Sequence, residues 1–303
     1  MASTSSQPAQ SRAPAFICVY GAPGQGKTVD TGYSFPRALF VAAPGALKPI
    51  RALCGYDPDP QTRYAATMQD AEALITVAVQ GGMDTIVIDD FSFLAEQTFN
   101  AIEQGYTGRN GYEKWGKLKE ATLKFRNSAR FAAINVVLTC WEKAPATKNG
   151  MLLRGGPKLP SDLPESMPAM CDLVLRCATD ELRKPWAGVY RCSLDPNWIM
   201  KDRDAGCPVV APMNLAEILR FNGYVIARHP GLPWQEECVA LIADAMLSTG
   251  GAQDAEIGRK AWGQLESKGY KTPHIVWTMR DAVDRVALRR AARGTTRMQA
   301  FGW

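Results

Sequence analysis

Gly21-Ala22-Pro23-Gly24-Gln25-Gly26-Lys27-Thr28 is the stretch on which the fold turns. Its order is G-x-x-x-x-G-K-[ST], the phosphate-binding loop pattern. Glycines let successive backbone N–H groups converge on phosphate oxygens without Cβ clashes. The N-terminus of the helix that follows adds a positive field at the same spot. Gly21, Gly24, Gln25 and Gly26 are therefore the expected cradle. Lys27 is expected to reach the β- and γ-phosphates, and the Thr28 hydroxyl to bind Mg²⁺. The preceding run, Ala15-Phe16-Ile17-Cys18-Val19-Tyr20, is short, apolar and rich in strand formers, as a strand feeding such a loop must be. A chance glycine-rich turn followed by a lysine is the bland alternative, and it leaves the strand unexplained.

Outward from the loop, strand-like and helical runs alternate. Ala38–Ala43 and Ile134–Thr139 are apolar runs, and Asp172–Arg176 and Gly188–Ser193 are two further strand candidates. Ala71, Leu74, Ile75 and Val79 recur at helical spacing over 68–80, and Gly81-Gly82 ends that helix. A second helix is expected over 112–131. This alternation predicts an α/β fold with a mainly parallel sheet covered by helices. From about residue 233 the texture changes to three helical candidates, 234–247, 254–267 and about 274–293. The expected organisation is a disordered tail over 1–14, an ATPase core over 15–232 and a small helical C-terminal extension with a basic tail over 233–303.

Thr85-Ile86-Val87-Ile88-Asp89-Asp90 is an apolar strand closed by acids, about 60 residues after the loop. A carboxylate placed there completes a Mg²⁺ shell with the loop threonine, so Asp89 is the expected metal ligand with Thr28. Asp90 is a candidate to orient the attacking water, or a plain turn acid. Thr139 is a γ-phosphate sensor or a strand-end cap.

Composition narrows the rest. The 303 residues are 46% hydrophobic and 21% charged, with a net charge of +5, ordinary for a soluble globular protein. No run has the length needed to span a membrane. Residues 1–14 lack the basic start and apolar core of a secretory signal. Eight scattered cysteines with no C-x-x-C pair, and only two histidines, argue against a zinc site on spacing and suit reduced thiols in a cytoplasmic protein.

Taken together, the segments resemble the RecA-like ATPases carried by bacteriophages, and most of all the short RecA-related single-strand annealing proteins. The resemblance rests on Tyr20–Thr28, Ile86–Asp90, Gly156-Pro157-Lys158-Leu159-Pro160 with Leu163-Pro164 and Met167-Pro168, and Lys201-Asp202-Arg203, and covers about 15–220. It implies ATP and Mg²⁺ as cofactors, single-stranded DNA as partner, and assembly with further copies of the chain into a ring or filament. A single-strand-binding protein is a further implied partner, and the setting is the cytoplasm of a bacterial host. It also implies that Lys201 and Arg203 reach the neighbouring subunit's ATP site, where a cation supplied in trans stabilises the transferring phosphoryl group. Hydrolysis would then depend on assembly. One departure stands out. Relatives usually carry a water-activating Glu near the end of the second strand, and Val41-Ala42-Ala43-Pro44-Gly45-Ala46 holds no acid, so either Asp90 takes that role or turnover is slow.

DNA-contact candidates are Lys143, Lys148, Arg154 and Lys158, read as a flexible glycine-rich basic loop over 143–161. Two other basic stretches compete. Over 103–130, seven cations face three acids with Tyr106, Tyr112 and Trp115 between them, and a core face with a solvated side is the favoured reading there. From residue 280 onward six arginines accompany two aspartates. Rival functions are a packaging motor, a helicase or helicase loader, and a nucleotide-bound structural or adaptor protein.

Overall fold

The computed structural model describes residues 14–108, 112–179, 188–192, 195–202, 207–224 and 235–300. The elements run β1 (Phe16–Gly21), α1 (Lys27–Ser34), β2 (Ala38–Ala42), α2 (Lys48–Leu53), β3 (Thr62–Arg63), α3 (Met68–Gln80), β4 (Thr85–Asp89), α4 (Phe91–Gln104) and α5 (Glu113–Phe131). They continue with β5 (Asn135–Lys143), β6 (Ala146–Lys148), β7 (Met151–Leu153), β8 (Gly156–Pro157), α6 (Leu163–Met170), β9 (Leu173–Thr179), β10 (Gly188–Arg191), β11 (Lys201–Asp202) and β12 (Val210–Pro212). Four helices close the chain: α7 (Leu215–Phe221), α8 (Gln235–Ser248), α9 (Asp254–Ser267) and α10 (Thr272–Ala300).

The main sheet has the order β12-β10-β9-β1-β5-β4-β2-β3. The six strands from β9 to β3 are parallel, which gives the expected α/β core with a mainly parallel sheet covered by helices. Alternate residues of β1 explain why its sequence is continuously apolar. Phe16, Cys18 and Tyr20 enter one core layer with Met68, Ala71, Phe91 and Phe125. Ile17 and Val19 enter the opposite layer with Ile50, Leu215 and Ile218. A strand covered on both faces has no polar side.

Several local outcomes differ from the sequence pattern. Gly188–Arg191 is a strand but runs antiparallel to β9, and β12 runs antiparallel to it in turn. The inner face of α3 is Met68, Ala71, Ile75 and Ala78, whereas Val79 is exposed. The 143–161 segment is no flexible loop: β6 and β7 form a hairpin around Asn149 and Gly150, with φ of 51° and 75°. Positive φ at both central residues is what an Asn-Gly hairpin turn requires. The helix α4, absent from the elements expected above, buries Phe91, Leu94, Ala95 and Thr98 at helical spacing, and it begins because the Asp90 carboxylate accepts a hydrogen bond from Phe93 N–H at 2.6 Å, an N-cap.

The C-terminal helices share a cluster of their own, in which Val239, Ile242 and Met246 meet Ala261, Leu265, Ile275 and Val286. α10 also returns to the core, where Leu288 joins the layer beneath α1. Among the described residues no helix is long and apolar enough to cross a membrane. The tail over 1–13 and the final Phe301-Gly302-Trp303 lie outside the described residues.

Gly32 packs α1 onto α2. A Cβ at Gly32 would lie 2.6–2.9 Å from three side-chain carbons of Ile50, which is fully buried. Alanine adds about 1 kcal/mol of helix propensity, but overpacking costs roughly 1–3 kcal/mol, and three simultaneous clashes place this site at the upper end. Gly32→Ala is expected to lower the urea midpoint with an unchanged m-value. A midpoint equal to or above the wild type would show that α2 yields freely.

Candidate nucleotide-binding site

β1 delivers the chain to the carboxyl edge of the sheet between β5 and β9, and the loop turns there into α1. The glycines have separate reasons. A Cβ at Gly21 would stand 2.6 Å from the Cβ of Cys177 on β9, so this glycine is set by packing. Gly24 and Gly26 have φ of 78° and 85°, the left-handed region that glycine enters at no steric cost. Nothing lies within 4 Å of the Cβ position at Gly24, so the backbone conformation, not packing, sets this glycine. The Gln25 amide oxygen accepts from Ala22 N–H at 3.1 Å and holds the turn closed on itself.

Lys27 is largely buried and its Nζ donates to the carbonyls of Gly21 at 2.8 Å and Ala22 at 2.9 Å. The Thr28 hydroxyl donates to Asp89 Oδ2 at 2.8 Å. Asp89 ends β4, two strands away from β1, with β5 between. Thr139 lies in the middle of β5 rather than at a strand end, and its hydroxyl donates to Asp89 Oδ1. Burial pushes the Asp89 carboxyl up from the ordinary range, opposed by the Thr139 and Thr28 hydrogen bonds and the Lys27 charge. Burial likewise raises Asp90, against the Phe93 N–H, and the neighbouring Asp89 charge adds to the rise.

These groups line a cavity of about 370 Å³ that also reaches Val41, Ala42, Ala43, Tyr64 and Phe93. Among the described residues, Asp89 and Asp90 are the two carboxylates in its wall. The end of β2 contributes only apolar surface there. The donor set suits its expected ligands: an open glycine cradle beside a lysine for a polyphosphate, and a hydroxyl in contact with a carboxylate as hard oxygen ligands for Mg²⁺.

The remaining candidates fall elsewhere. Lys201 sits on β11, which pairs with β9, and its Nζ donates to the carbonyls of Pro168 and Cys171, capping the end of α6 in its own chain. Arg203 lies outside the described residues. Lys143, Lys148, Arg154 and Lys158 are all exposed on or beside the β6–β7 hairpin. Lys158 Nζ lies 5.1 Å from the ring centre of Trp141, and Trp141 lines the cavity, so the base of the hairpin adjoins the nucleotide pocket.

The competing basic segments are largely tied down. On α5, Lys114, Lys119, Lys124 and Arg130 pair with Glu103, Asp162, Glu72 and Asp172, Trp115 stacks on Phe99, and Leu118 and Phe125 are core. On α10, Arg280, Arg285, Arg289 and Arg290 pair with Asp30, Glu217, Asp244 and Asp254, which replaces the open basic face that composition suggested. One cluster went unread in the sequence. Glu142 binds Arg176 at 2.7 Å, and that guanidinium stacks 3.5 Å from the ring centre of Trp198. The pair carries no local signal, since it joins β5 to β9, the two strands that flank β1.

A parallel sheet whose central strand feeds a glycine turn, with lysine and threonine on the next helix and a buried aspartate in contact with that threonine, defines a P-loop nucleoside triphosphatase. Within that class the chain belongs to the AAA domain family, whose model matches residues 13–203. No curated protein matches. Among solved structures, a KaiC-like protein from the hyperthermophilic archaeon Pyrococcus horikoshii OT3 is similar at 18% identity over 62% of this chain and 82% of that one, with a TM-score of 0.36. The helices α8–α10 lie beyond the family match.

Proposed function

We propose that the protein binds Mg-ATP at Gly21–Thr28 and hydrolyses it slowly, in step with assembly on single-stranded DNA during phage recombination or annealing. The observation that carries the nucleotide part is the 2.8 Å contact between Thr28 and Asp89 at the mouth of the open glycine cradle. In this reading the backbone of 21–26 holds the polyphosphate and Lys27 sits against the β- and γ-phosphates. Mg²⁺, when bound, offsets charge between those phosphates. Asp90, the second carboxylate of the cavity, orients water and accepts its proton. The apolar end of β2 supplies no further acid, which supports slow turnover in an isolated chain.

The DNA part rests on the family resemblance and on the exposed cations of the hairpin. Backbone-tracking cations bind any sequence and lose affinity steeply with salt. Exchange of Lys148 and Arg154 together for glutamate is expected to weaken binding of a fluorescent oligo-dT by at least tenfold at low salt, and to reduce the log–log salt slope by about 1 for each phosphate no longer neutralised. Binding should tighten with a non-hydrolysable ATP analogue in the wild type. No DNA affinity at low salt, with or without nucleotide, would sink the recombination reading.

The second reading is a nucleotide-bound adaptor of a phage assembly. The engagement of Lys201 with its own α6 favours it, because this lysine is then not presented to a neighbour. Bound ATP with turnover at background in the presence of DNA would select that reading. Strand unwinding or translocation would select a motor or helicase loader instead.

A further inference from the structure

We propose that Arg280 of α10 is a positioning residue for the nucleotide site, acting through the buried side of the P-loop helix. This deepens the Mg-ATP reading and rests on it. α1 has only eight residues and no side-chain N-cap hydrogen bond, so its placement depends on tertiary contacts. Lys27 and Thr28 form its first turn, and Asp30, close behind them, is almost fully buried. The Asp30 carboxylate accepts from the Tyr190 hydroxyl at 2.6 Å, from Leu215 N–H at 3.2 Å and from Arg280 Nη2 at 3.3 Å.

Arg280 supplies the cation that this carboxylate needs. Burial pushes Asp30 up, and the Arg280 charge is the largest opposing influence. The same Nη2 donates to the carbonyl of Met213. The Met213 sulfur lies 3.6 Å from the Cβ position at Gly26, the residue just before Lys27. One guanidinium therefore holds α1 from below through Asp30 and fixes the residue that packs on the loop glycine. Its own pose is set by the Tyr33 ring, 4.3 Å away. Tyr33 in turn donates to Asp281 and to the Trp277 carbonyl, each at 2.9 Å. Asp284 and Asp281, bridged by Asn214, also face this cluster.

The physical argument is the cost of an uncompensated charge. Without Arg280, the buried Asp30 carboxylate loses its guanidinium partner, a charge left uncompensated in the interior, and the relaxation of α1 around it shifts the turn that carries Lys27 and Thr28. Small displacements of binding groups are amplified at such sites. α10 lies outside the matched region 13–203, and through Arg280 the C-terminal helices bear on nucleotide affinity.

The test compares Mg-dependent binding of a fluorescent ATP analogue (mant-ATP) with thermal melting in the full chain. The variants are Arg280→Met, Arg280→Lys and Asp30→Asn. The control is Arg290→Met, which breaks another α10 anchor, to Asp254 and the Met246 carbonyl, far along the helix from α1. Binding is read well below the lowest melting midpoint. Arg280→Met is expected to weaken affinity about tenfold, the loss typical of removing an outer partner of a binding group. Asp30→Asn should weaken it similarly and Arg280→Lys less, while Arg290→Met melts lower and binds as wild type. Affinity within twofold of wild type in Arg280→Met overturns the proposal. If that variant does not fold, unchanged affinity in both Asp30→Asn and Arg280→Lys overturns it equally. A wild type that binds no mant-ATP refutes the nucleotide reading itself, and the proposal with it.

Discussion

Lys27→Ala is expected to reduce ATP turnover by on the order of 10²–10³-fold, the usual cost of removing one preorganised charge donor from a reacting centre. The lysine is held largely out of solvent by two carbonyls of the loop it serves, so its charge acts in a poorly screened cavity. The loss has a second component through Asp89. Lys27 is one of the influences that oppose the burial-driven rise of the Asp89 carboxyl. Without it that carboxyl moves further up and is more readily protonated as pH falls. The variant should therefore lose Mg-dependent nucleotide binding at a higher pH than the wild type does. The fold should survive, because the removed side chain satisfies loop carbonyls at the rim of an open cavity rather than filling the core. Phosphate release and mant-ATP titration between pH 5.5 and 8, with a melting curve for each sample, measure all three effects. Turnover equal to wild type would refute the assignment of Lys27.

The parts of this molecule that were legible in the sequence are those whose partners are close along the chain or repeat with a fixed period. β1, the glycine turn and the start of α1 follow from one continuous run, Ala15 to Thr28. β4 follows from its apolar run closed by Asp89, and α3 from its apolar spacing and the Gly81-Gly82 stop, while the Thr67–Asp70 capping box that starts it emerges only in the structure. Where one residue serves two purposes the pattern misleads. Asp90 stands out as a chemical group, and its role as the cap that starts α4 is hidden behind that. Asn149-Gly150 sits among enough glycines and lysines to resemble loose chain, although it turns a hairpin.

Long-range electrostatics account for the largest gap. The arginines of α10 look like an open basic surface because their carboxylates lie far off in sequence: Asp30 is 250 residues from Arg280 and Glu217 is 68 from Arg285. No periodicity encodes such a pairing. The same holds for Glu142 with Arg176, and for Lys201, whose ammonium turns to the carbonyls ending α6. A cation in a sequence is open to any anion; the fold decides which one it meets.

Asp89→Asn is the substitution for which folding and function should move in opposite directions. The wild-type carboxylate is buried, and burial raises its pKa above the ordinary value. A raised carboxyl binds protons more tightly in the folded than in the unfolded state, so the ionised group costs stability above the folded pKa, and that cost disappears as pH falls through it. An amide of the same shape removes the cost at neutral pH and still offers an oxygen to Thr28 or Thr139. The unliganded variant is therefore expected to melt at or above the wild-type temperature at pH 7. Mg-ATP turnover, by contrast, should fall roughly 10²–10³-fold, since several kcal/mol of transition-state charge stabilisation depends on the metal. Asp90→Asn separates the neighbouring role. Asparagine caps a helix as well as aspartate does, so α4 stays in place and only the proton-accepting charge is lost. If Asp90 orients the water, kcat drops on the order of 10²-fold while mant-ATP affinity holds. Turnover within twofold of wild type would reduce Asp90 to a helix cap. An Asp89→Asn variant that melts lower than wild type and still turns over Mg-ATP would remove the metal-binding role from the end of β4.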